Sequence, residues 1–407
     1  MRIYFSGIGG VGIGPLARIS RDAGYEVLGS DANESLTTKE LEDSAVTISY
    51  DQSGEFLRSS HAHEPIDWFV YTAALPETHP ELVAARDLGM RTSKRDELLA
   101  HIIDEKSLKL IAVAGTHGKT TTTGMLVWTL KQLGIPVSYS IGSTLSWGPS
   151  GYYDPNSDYF VYECDEFDRN FLTFSPYLSL ITNVEYDHPD TYTSANAYND
   201  AFKQFADQSQ QLITWQNPLF SHHKDAWLLE DALSIKLAGE HNRQNATLVL
   251  KALEKLHFDS SPSLVESFPG TNRRFEKLAD NLYSDYGHTP TEIKATLQLA
   301  RELSDHVVLV YQPHQNIRQH EIRDQYTDNI FSDSDEVYWL STYLSREDPN
   351  LATLSPHDLT QQLRTTDVHH NELDDHLRDA INQLRNDGKL VLAMGAGSID
   401  HWIRAQI

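Results

Sequence analysis

The sequence predicts an α/β protein with three domains. Its 407 residues are too many for one ordinary hydrophobic core. Apolar runs of strand length alternate with helical segments, as expected for sheets covered by helices. Glycine-rich and polar stretches follow several of these strands, at the edge where open α/β sheets bind ligands. We expect domains over residues 1–107, 108–265 and 266–407, with a polar linker near Ser107.

The composition limits which binding partners and which cellular compartment we expect for the protein. Apolar residues make up 40% and aromatic residues 10%, which are globular values. A net charge of −25 argues against nucleic acid and anionic membranes as partners, and no apolar run approaches the roughly 18 residues that span a bilayer. The single cysteine, Cys164, excludes an internal disulfide, and we expect no signal peptide. We therefore expect a cytoplasmic protein, as a monomer or a homodimer.

The first domain begins with a strand, a glycine-rich turn and a helix. A second strand follows and ends at Asp31, about twenty residues after the glycines. This βαβ layout predicts a Rossmann-like domain, in which glycines let the backbone approach a pyrophosphate and the carboxylate meets a ribose. The candidate ligand-binding residues are Gly9, Gly10, Gly12 and Asp31. NAD, FAD or a UDP-sugar would fit this pattern, and Asp31 as a solvated loop carboxylate stays open as an alternative.

The second domain is organised around a loop that binds phosphate. The apolar run Leu110–Ala114 is followed by Gly115-Thr-His-Gly, then by Lys119, four threonines and a helical segment. Backbone N–H groups at such a helix start favour anions, Lys119 adds a cation, and the Thr120 hydroxyl can hold Mg²⁺. The pattern G-x-x-x-x-G-K-[ST] fails at its first position, which is Val113, but the strand before and the helix after support a central domain of the P-loop ATPase type.

Two later strands of this domain also end in polar residues. One ends in four carboxylates within six residues, Glu163, Asp165, Glu166 and Asp168, which repel one another unless a cation lies among them. An acidic, solvated turn is the alternative, and it fits Glu166 and Asp168 better than Glu163. Cys164 is expected to be a packed residue. The other strand ends at Asp187 and His188, and we expect His188 to bind metal or substrate.

The last third of the chain repeats the alternation of strand and helix, which predicts a Rossmann-like third domain. Before it, His241 and Asn242 open a helix and could bind a base, although N-capping by Asn242 is an equal alternative. Arg273 and Arg274 suggest a phosphate or carboxylate partner, with a surface salt bridge as the alternative.

These motifs together resemble the Mur ligase family, the ATP-dependent amide ligases of peptidoglycan synthesis. The residues that carry the resemblance extend over the whole chain: Gly115-Thr-His-Gly-Lys-Thr-Thr-Thr, Glu163-Cys-Asp-Glu-Phe-Asp, Asn183-Val-Glu-Tyr-Asp-His, Gly239-Glu-His-Asn-Arg-Gln-Asn, Gly270-Thr-Asn-Arg-Arg-Phe, Asp285-Tyr-Gly-His-Thr-Pro and Gln312-Pro-His. The loop without a leading glycine is this family's own variant.

The resemblance implies a reaction and a role for each motif. UDP-N-acetylmuramate and an amino acid, in the first instance L-alanine, would be joined through an acyl phosphate at the expense of ATP, with Mg²⁺. The implied ATP-binding residues are Gly115, Thr116, His117, Gly118, Lys119, Thr120, Thr121, His241, Asn242, Asn245, Arg274 and Asp285. Lys119, Glu163 and His188 would be catalytic, and Thr120, Glu163 and His188 would hold metal. Gly9, Gly10, Gly12 and Asp31 would bind the UDP moiety, and Tyr286, His288 and Arg318 the amino acid.

Three departures from the family pattern concern the choice of amino acid. Gln315 stands where the family has arginine, Thr289 replaces a second histidine, and the stretch from Tyr192 to Gly239 is about half its usual length. Ligation of a free tripeptide, of glycine or of serine therefore stays open. A nucleotide-binding regulatory protein with a degenerate site is the alternative from another class, and the intact set of Lys119, Thr120, Glu163 and His188 argues against it.

Overall fold

The computed structural model describes residues 1–72, 75–188, 191–345 and 347–407. Two residues of the stretch after His188, Pro189 and Asp190, therefore lie outside the described residues. The chain forms two compact units, one from residues 1–231 and 247–268 and the other from residues 232–246 and 269–407. Three separate sheets account for the strands described below.

The first sheet has five parallel strands in the order β3-β2-β1-β4-β5. Along β1, Ile3 and Phe5 belong to one hydrophobic cluster and Tyr4 to another, so both faces of the sheet are covered. The strands are β1 Arg2–Ser6, β2 Glu26–Ser30, β3 Thr47–Ser49, β4 Trp68–Tyr71 and β5 Arg91–Lys94; the helices are α1 Gly14–Asp22, α2 Leu36–Asp43, α3 Glu55–His63, α4 Pro80–Asp87 and α5 Arg95–Glu105.

The second sheet has seven strands in the order β12-β11-β10-β6-β9-β7-β8, and β8 runs antiparallel to β7. Its strands are β6 Lys109–Ala114, β7 Ser138–Ser140, β8 Gly151–Tyr152, β9 Tyr159–Glu163, β10 Leu178–Ile181, β11 Gln211–Trp215 and β12 Ala226–Leu229. The helices are α6 Lys119–Gln132, α7 Ala195–Gln208, α8 Glu240–Lys255 and α9 Pro262–Glu266, with short 3-10 helices at Phe167–Thr173 and Pro218–Phe220. Since β6 lies between β9 and β10, the loop after β6 emerges between the ends of those two strands.

The first two sheets share one hydrophobic core within the first unit. One cluster of buried side chains runs from Ile3 and Phe5 to Phe160 and Tyr162. The Tyr162 hydroxyl donates to Asp96 Oδ1 at the start of α5, at 2.7 Å. The carboxyl ends of strands from both sheets are therefore held by the same packing.

The third sheet lies in the second unit and has the order β13-β14-β18-β15-β16-β17, with β13 antiparallel to β14. Side chains alternate along β15: Leu309 lies in one core cluster, and Val308 and Val310 lie in the other. The strands are β13 Glu276–Ala279, β14 Leu282–Asp285, β15 Val307–Tyr311, β16 Glu336–Leu340, β17 Val368–Asn371 and β18 Leu390–Met394; the helices are α10 Pro290–Leu303, α11 Asn316–Ile322, α12 Pro356–Thr360, α13 Asp375–Asn386 and α14 Ile399–Arg404, with a 3-10 helix at Arg323–Gln325. The predicted α/β fold with three domains, each built on a mostly parallel sheet, is confirmed.

Candidate active site

The phosphate loop (Gly115–Thr121) joins β6 to α6 and has a backbone that needs glycine. Gly115 has φ +131°, and a Cβ there would lie 2.1 Å from Thr182 Oγ1. Gly118 has φ +81° and precedes the first residue of α6. Asn183 holds the loop from the end of β10: it accepts from the His117 N–H and donates to the His117 carbonyl oxygen, both at 3.0 Å. The loop shape is therefore fixed by the neighbouring strand.

The first position of the P-loop pattern lies inside a strand. Val113 is fully buried in β6 and pairs with Leu180 in β10 and Glu163 in β9, so no tight turn begins there. The Thr116 hydroxyl donates to the Glu185 carbonyl oxygen at 2.8 Å, and Thr121 lies half-buried in the first turn of α6.

Lys119 forms a buried ion pair that the sequence did not predict. Its Nζ lies 2.7 and 3.0 Å from the two carboxylate oxygens of Glu166, and it also donates to the Gly115 carbonyl oxygen at 2.7 Å. Burial opposes the charge on Lys119, but the carboxylates of Glu166, Asp165 and Glu163 together outweigh burial and raise the pKa of Lys119. Glu166 is fully buried, so the alternative of an acidic, solvated turn is wrong for this residue.

The carboxylates of the acidic turn (Glu163–Asp168) contact different partners. The Thr120 hydroxyl donates to Glu163 Oε1 at 2.8 Å, and the Gly142 N–H donates to Glu163 Oε2 at 2.7 Å. Asp168 pairs with Lys94 at a half-exposed position, in keeping with the solvated alternative. Cys164 is fully buried and burial raises the pKa of its thiol, as expected for a packed residue.

The proposed metal ligands fall into two neighbouring places. Thr120 and Glu163 are in direct contact, whereas His188 Nε2 lies 3.7 Å from Glu166 Oε1. Across the described part of the chain, no group of three or more His, Cys, Asp or Glu side chains is arranged to hold a metal ion. Mg²⁺ is commonly held by one or two carboxylates together with substrate phosphates, and Glu163, beside the Thr120 hydroxyl, is a carboxylate of this kind.

The glycine turn (Gly7–Gly12) follows β1 and packs against neighbouring side chains. The Gly9 N–H donates to Asp31 Oδ2 at 2.8 Å, so Asp31 fixes the turn and is not merely a solvated carboxylate. A Cβ at Gly9 would lie 2.7 Å from Thr38 Cγ2 at the start of α2. The Gly10 N–H closes the turn onto the Gly7 carbonyl oxygen at 3.0 Å. Gly9, one of the glycines predicted to meet a ligand, is thus also packed closely by a side chain.

The residues proposed to contact the base lie at the start of α8. That helix begins at Glu240, and Asn242 donates to the Ala238 carbonyl oxygen at 3.1 Å, so the N-capping alternative for Asn242 is wrong. Burial lowers the pKa of His241 to about 4, and its Nδ1 has no hydrogen-bond partner among the described residues. Asn245 is buried one turn further on. His241 is therefore a neutral ring with a polar atom left unused.

The third domain groups its candidate residues where β14 ends. Asp285 accepts from the Phe275 and Gly287 N–H groups at 2.8 and 2.7 Å, and burial raises the pKa of its carboxyl. The guanidinium carbon of Arg274 lies 5.2 Å from the centre of the Tyr286 ring. Arg273 lies 3.5 Å from Asp400, as the salt-bridge alternative predicted for it.

The residues proposed for the amino acid come together at the ends of β14 and β15. Arg318 Nη1 lies 2.6 Å from His288 Nε2, and the His288 ring packs edge-on against Tyr286. Thr289 caps α10 in a capping box with Glu292, which gives a structural reason for threonine at this position. Gln315 has φ +61°, and its N–H donates to the Tyr343 carbonyl oxygen at 2.9 Å.

Sequence reasoning missed two residues that shape the phosphate loop. Glu166 was hidden because neighbouring carboxylates look alike in sequence, and only the fold turns one of them inwards. Asn183 is the second residue after β10, close to a strand end like other candidate residues, and that position was the available signal. Within the described ranges, none of the helices is both long and apolar enough to cross a membrane.

Comparison with known proteins matches the regions of all three sheets to domain models of one family. Residues 2–107 match the model "Mur ligase family, catalytic domain", residues 113–228 the "Mur ligase middle domain", and residues 273–397 the "Mur ligase, glutamate ligase domain". The UDP-N-acetylmuramate–L-alanine ligases of Carboxydothermus hydrogenoformans and Clostridium perfringens are 31% and 30% identical to the chain, over 98% of it and over 95% and 96% of their own lengths.

The solved structures of two ligases have folds similar to that of this chain. The UDP-N-acetylmuramate–alanine ligase of Thermotoga maritima superimposes with a TM-score of 0.79 at 26% identity, covering 100% of this chain and 98% of its own. A murein peptide ligase from Psychrobacter arcticus shares the fold, with a TM-score of 0.65 at 23% identity over 100% of this chain and 98% of its own. With its three matched domains and these relatives, the chain belongs to the Mur ligase family.

Proposed function

We propose that this Mur ligase joins UDP-N-acetylmuramate to L-alanine in peptidoglycan precursor synthesis, with conversion of ATP to ADP and phosphate. The observation that carries the proposal is the phosphate loop, in which Lys119 lies among the carboxylates of an acidic turn. The likeness to alanine ligases along 98% of the chain supports the choice of substrates. We also propose the domain limits 1–107, 108–265 and 266–407, each around one sheet.

The chemistry requires activation of a carboxylate. A carboxylate is a poor electrophile, so its oxygen first attacks the γ-phosphorus of ATP, releasing ADP and forming an acyl phosphate. The amine of L-alanine then attacks the acyl carbon, and phosphate leaves from the tetrahedral intermediate. Lys119 and the backbone N–H groups of the loop would hold the phosphates and offset the charge on the transferring phosphoryl group.

Each substrate has a group of residues that suits its charge. The nucleotide-sugar would lie against Gly9, Gly10, Gly12 and Asp31, where glycines let the backbone come close to a pyrophosphate. ATP would be held by Gly115–Thr121, with His241, Asn242, Asn245, Arg274 and Asp285 as further contacts. Tyr286, His288 and Arg318 would receive the amino acid, because Arg318 supplies a cation for its carboxylate.

The residues at the phosphate loop fit Mg²⁺. Thr120 and Glu163 would hold it, with His188 beside Glu166 as a further candidate. When bound, Mg²⁺ neutralises phosphate charge during transfer.

The test is the requirement for both substrates. ADP release should need UDP-N-acetylmuramate and L-alanine together, and should be lost in Lys119→Ala. ADP release with either substrate alone would contradict the proposal. An unchanged biological activity in Lys119→Ala would instead favour the regulatory alternative.

Gln315 is the specific reason to compare amino acids. At this position the family's arginine would add a second cation for the amino-acid carboxylate. Turnover should therefore be measured with L-alanine, glycine, L-serine and a free tripeptide. A higher kcat/KM for any of the other three would keep the ligation mechanism and replace the substrate.

A further inference from the structure

Arg95 lies against the glycine turn at the carboxyl edge of the first sheet. It is the first residue of α5, directly after β5 ends, and the glycine turn follows β1 at the same carboxyl edge. A Cβ at Gly12 would lie 2.4 Å from Arg95 Nη1. The guanidinium is therefore in contact with the backbone of the turn, and glycine at position 12 leaves room for it.

The guanidinium is only partly satisfied by its neighbours. Its Nε lies 3.4 Å from Asp96 Oδ2, and its Nη2 lies 3.7 Å from Asp165 Oδ2. Charge-assisted hydrogen bonds between such groups are normally about 2.7–2.9 Å long. Asp96 also accepts from the Tyr162 hydroxyl at 2.7 Å. Within residues 1–72, 75–188, 191–345 and 347–407, no closer acceptor engages Arg95, although a guanidinium carries five N–H donors.

We infer that Arg95 binds the diphosphate of the nucleotide-sugar substrate. The inference rests on the proposed function, which brings a UDP-sugar to the glycine turn. A diphosphate needs positive charge to bind to a protein whose net charge is −25, and Arg95 brings a cation to this turn. The planar, always charged guanidinium suits two phosphate oxygens at once.

This position also gives the substrate a direction. Asp31 contacts Gly9 at one end of the turn, and Arg95 contacts Gly12 at the other. On its far side Arg95 faces Asp165, which precedes the Glu166 that pairs with Lys119. With the diphosphate on Arg95, the uridine lies towards Asp31 and the sugar extends towards the acidic turn and the phosphate loop.

The experiment compares ligands that differ in phosphate. Binding of uridine, UMP and UDP to the full-length chain is measured by isothermal titration calorimetry for the wild type, Arg95→Gln, Arg95→Lys and Lys94→Gln. Loss of a charge-assisted contact should weaken UDP binding about tenfold to a hundredfold in Arg95→Gln and leave uridine binding within about twofold. Arg95→Lys keeps the charge without the planar fork, so its UDP affinity should lie between the two.

Lys94→Gln is the matched control. It removes the same charge one residue earlier, from an ion pair with Asp168 that is half-exposed, and should leave all three affinities unchanged. Thermal melts establish that each variant is folded. If Arg95→Gln does not fold, the UDP affinity of Arg95→Lys decides the role of Arg95 instead. An equal loss for uridine and UDP, or no loss for UDP, would overturn the role of Arg95. A wild type that binds none of the three ligands would overturn the nucleotide-sugar proposal as well.

Discussion

The ion pair between Lys119 and Glu166 gives a prediction that depends on burial. The side chains of Lys119 and Glu166 are 15% and 1% exposed, and their charged atoms are 2.7 Å apart at the closest point. We expect Glu166→Gln to destabilise the chain in the absence of nucleotide, because Lys119 is then left charged among carbonyl oxygens. Lys119→Met should destabilise it for the converse reason.

The magnitude follows from distance and desolvation. Two unit charges about 2.8 Å apart attract by about 6 kcal/mol at an effective dielectric constant of about 20. The cost of removing both groups from water offsets part of this, and breaking a buried pair from one side typically costs about 3–5 kcal/mol. Each single substitution should therefore cost about 3 kcal/mol. The double substitution should cost less than their sum by about 2 kcal/mol or more.

The assay is a double-mutant cycle of urea denaturation at pH 7 without ATP. Lys119→Met, Glu166→Gln, the double variant and the wild type are unfolded under the same conditions, and the coupling free energy is calculated from the four values. A coupling below about 0.5 kcal/mol, the range of exposed ion pairs, would refute the reasoning.

Three further predictions concern the loop, a helix cap and acid stability. Gly115→Ala should cost about 3 kcal/mol in thermal unfolding, since its Cβ would meet Thr182 Oγ1 at a positive φ; Gly134→Ala, at φ +69° with no atom within 4 Å, should cost about 1 kcal/mol. Thr289→Val should cost about 1 kcal/mol in urea denaturation by removing the cap of α10, and an unchanged midpoint would contradict the capping role. Because the folded pKa of His241, about 4, lies below its ordinary value of 6.5, the stability from its neutral form is present above pH 6.5 and is lost as the pH falls towards 4. His241→Gln should therefore remove up to about 2 kcal/mol of the stability difference between pH 7 and pH 5, measured by urea denaturation at both values, and an unchanged difference would exclude His241 as its source.

Much of the fold was predictable because parallel strands are apolar throughout and end abruptly. The apolar run before Gly115 was identified as a strand, and it is β6. The same property located candidate residues, since the first polar residue after a buried strand lies at the edge that binds ligands. Lys119, Thr120 and Glu163 were found in this way, and the structure brings them together.

The partners of these residues were not predictable from sequence spacing. Asp168, the last residue of the acidic turn, and Arg169 after it have φ +52° and +57°, a backbone path that no hydrophobic period encodes. That path accompanies the inward position of Glu166, next to Lys119, which lies 47 positions away in sequence. Arg95 escaped notice for a similar reason, since its contact with Gly12 depends on the order of strands in the sheet.

The core shared by the first two sheets has a consequence for protein engineering. Residues 2–107 and 113–228 match separate family models, yet Phe5 and Phe160 belong to one continuous cluster. Replacing the first domain alone with that of a relative would set two unrelated packing surfaces against each other. The backbones at Gly151 and Pro15 are already so close that a Cβ at Gly151 would lie 2.5 Å from the Pro15 carbonyl oxygen, which leaves almost no room for repacking. Chimeras that exchange the two domains as a single module keep this surface intact, so the practical crossover point for recombination lies after the second sheet and not at the linker near Ser107.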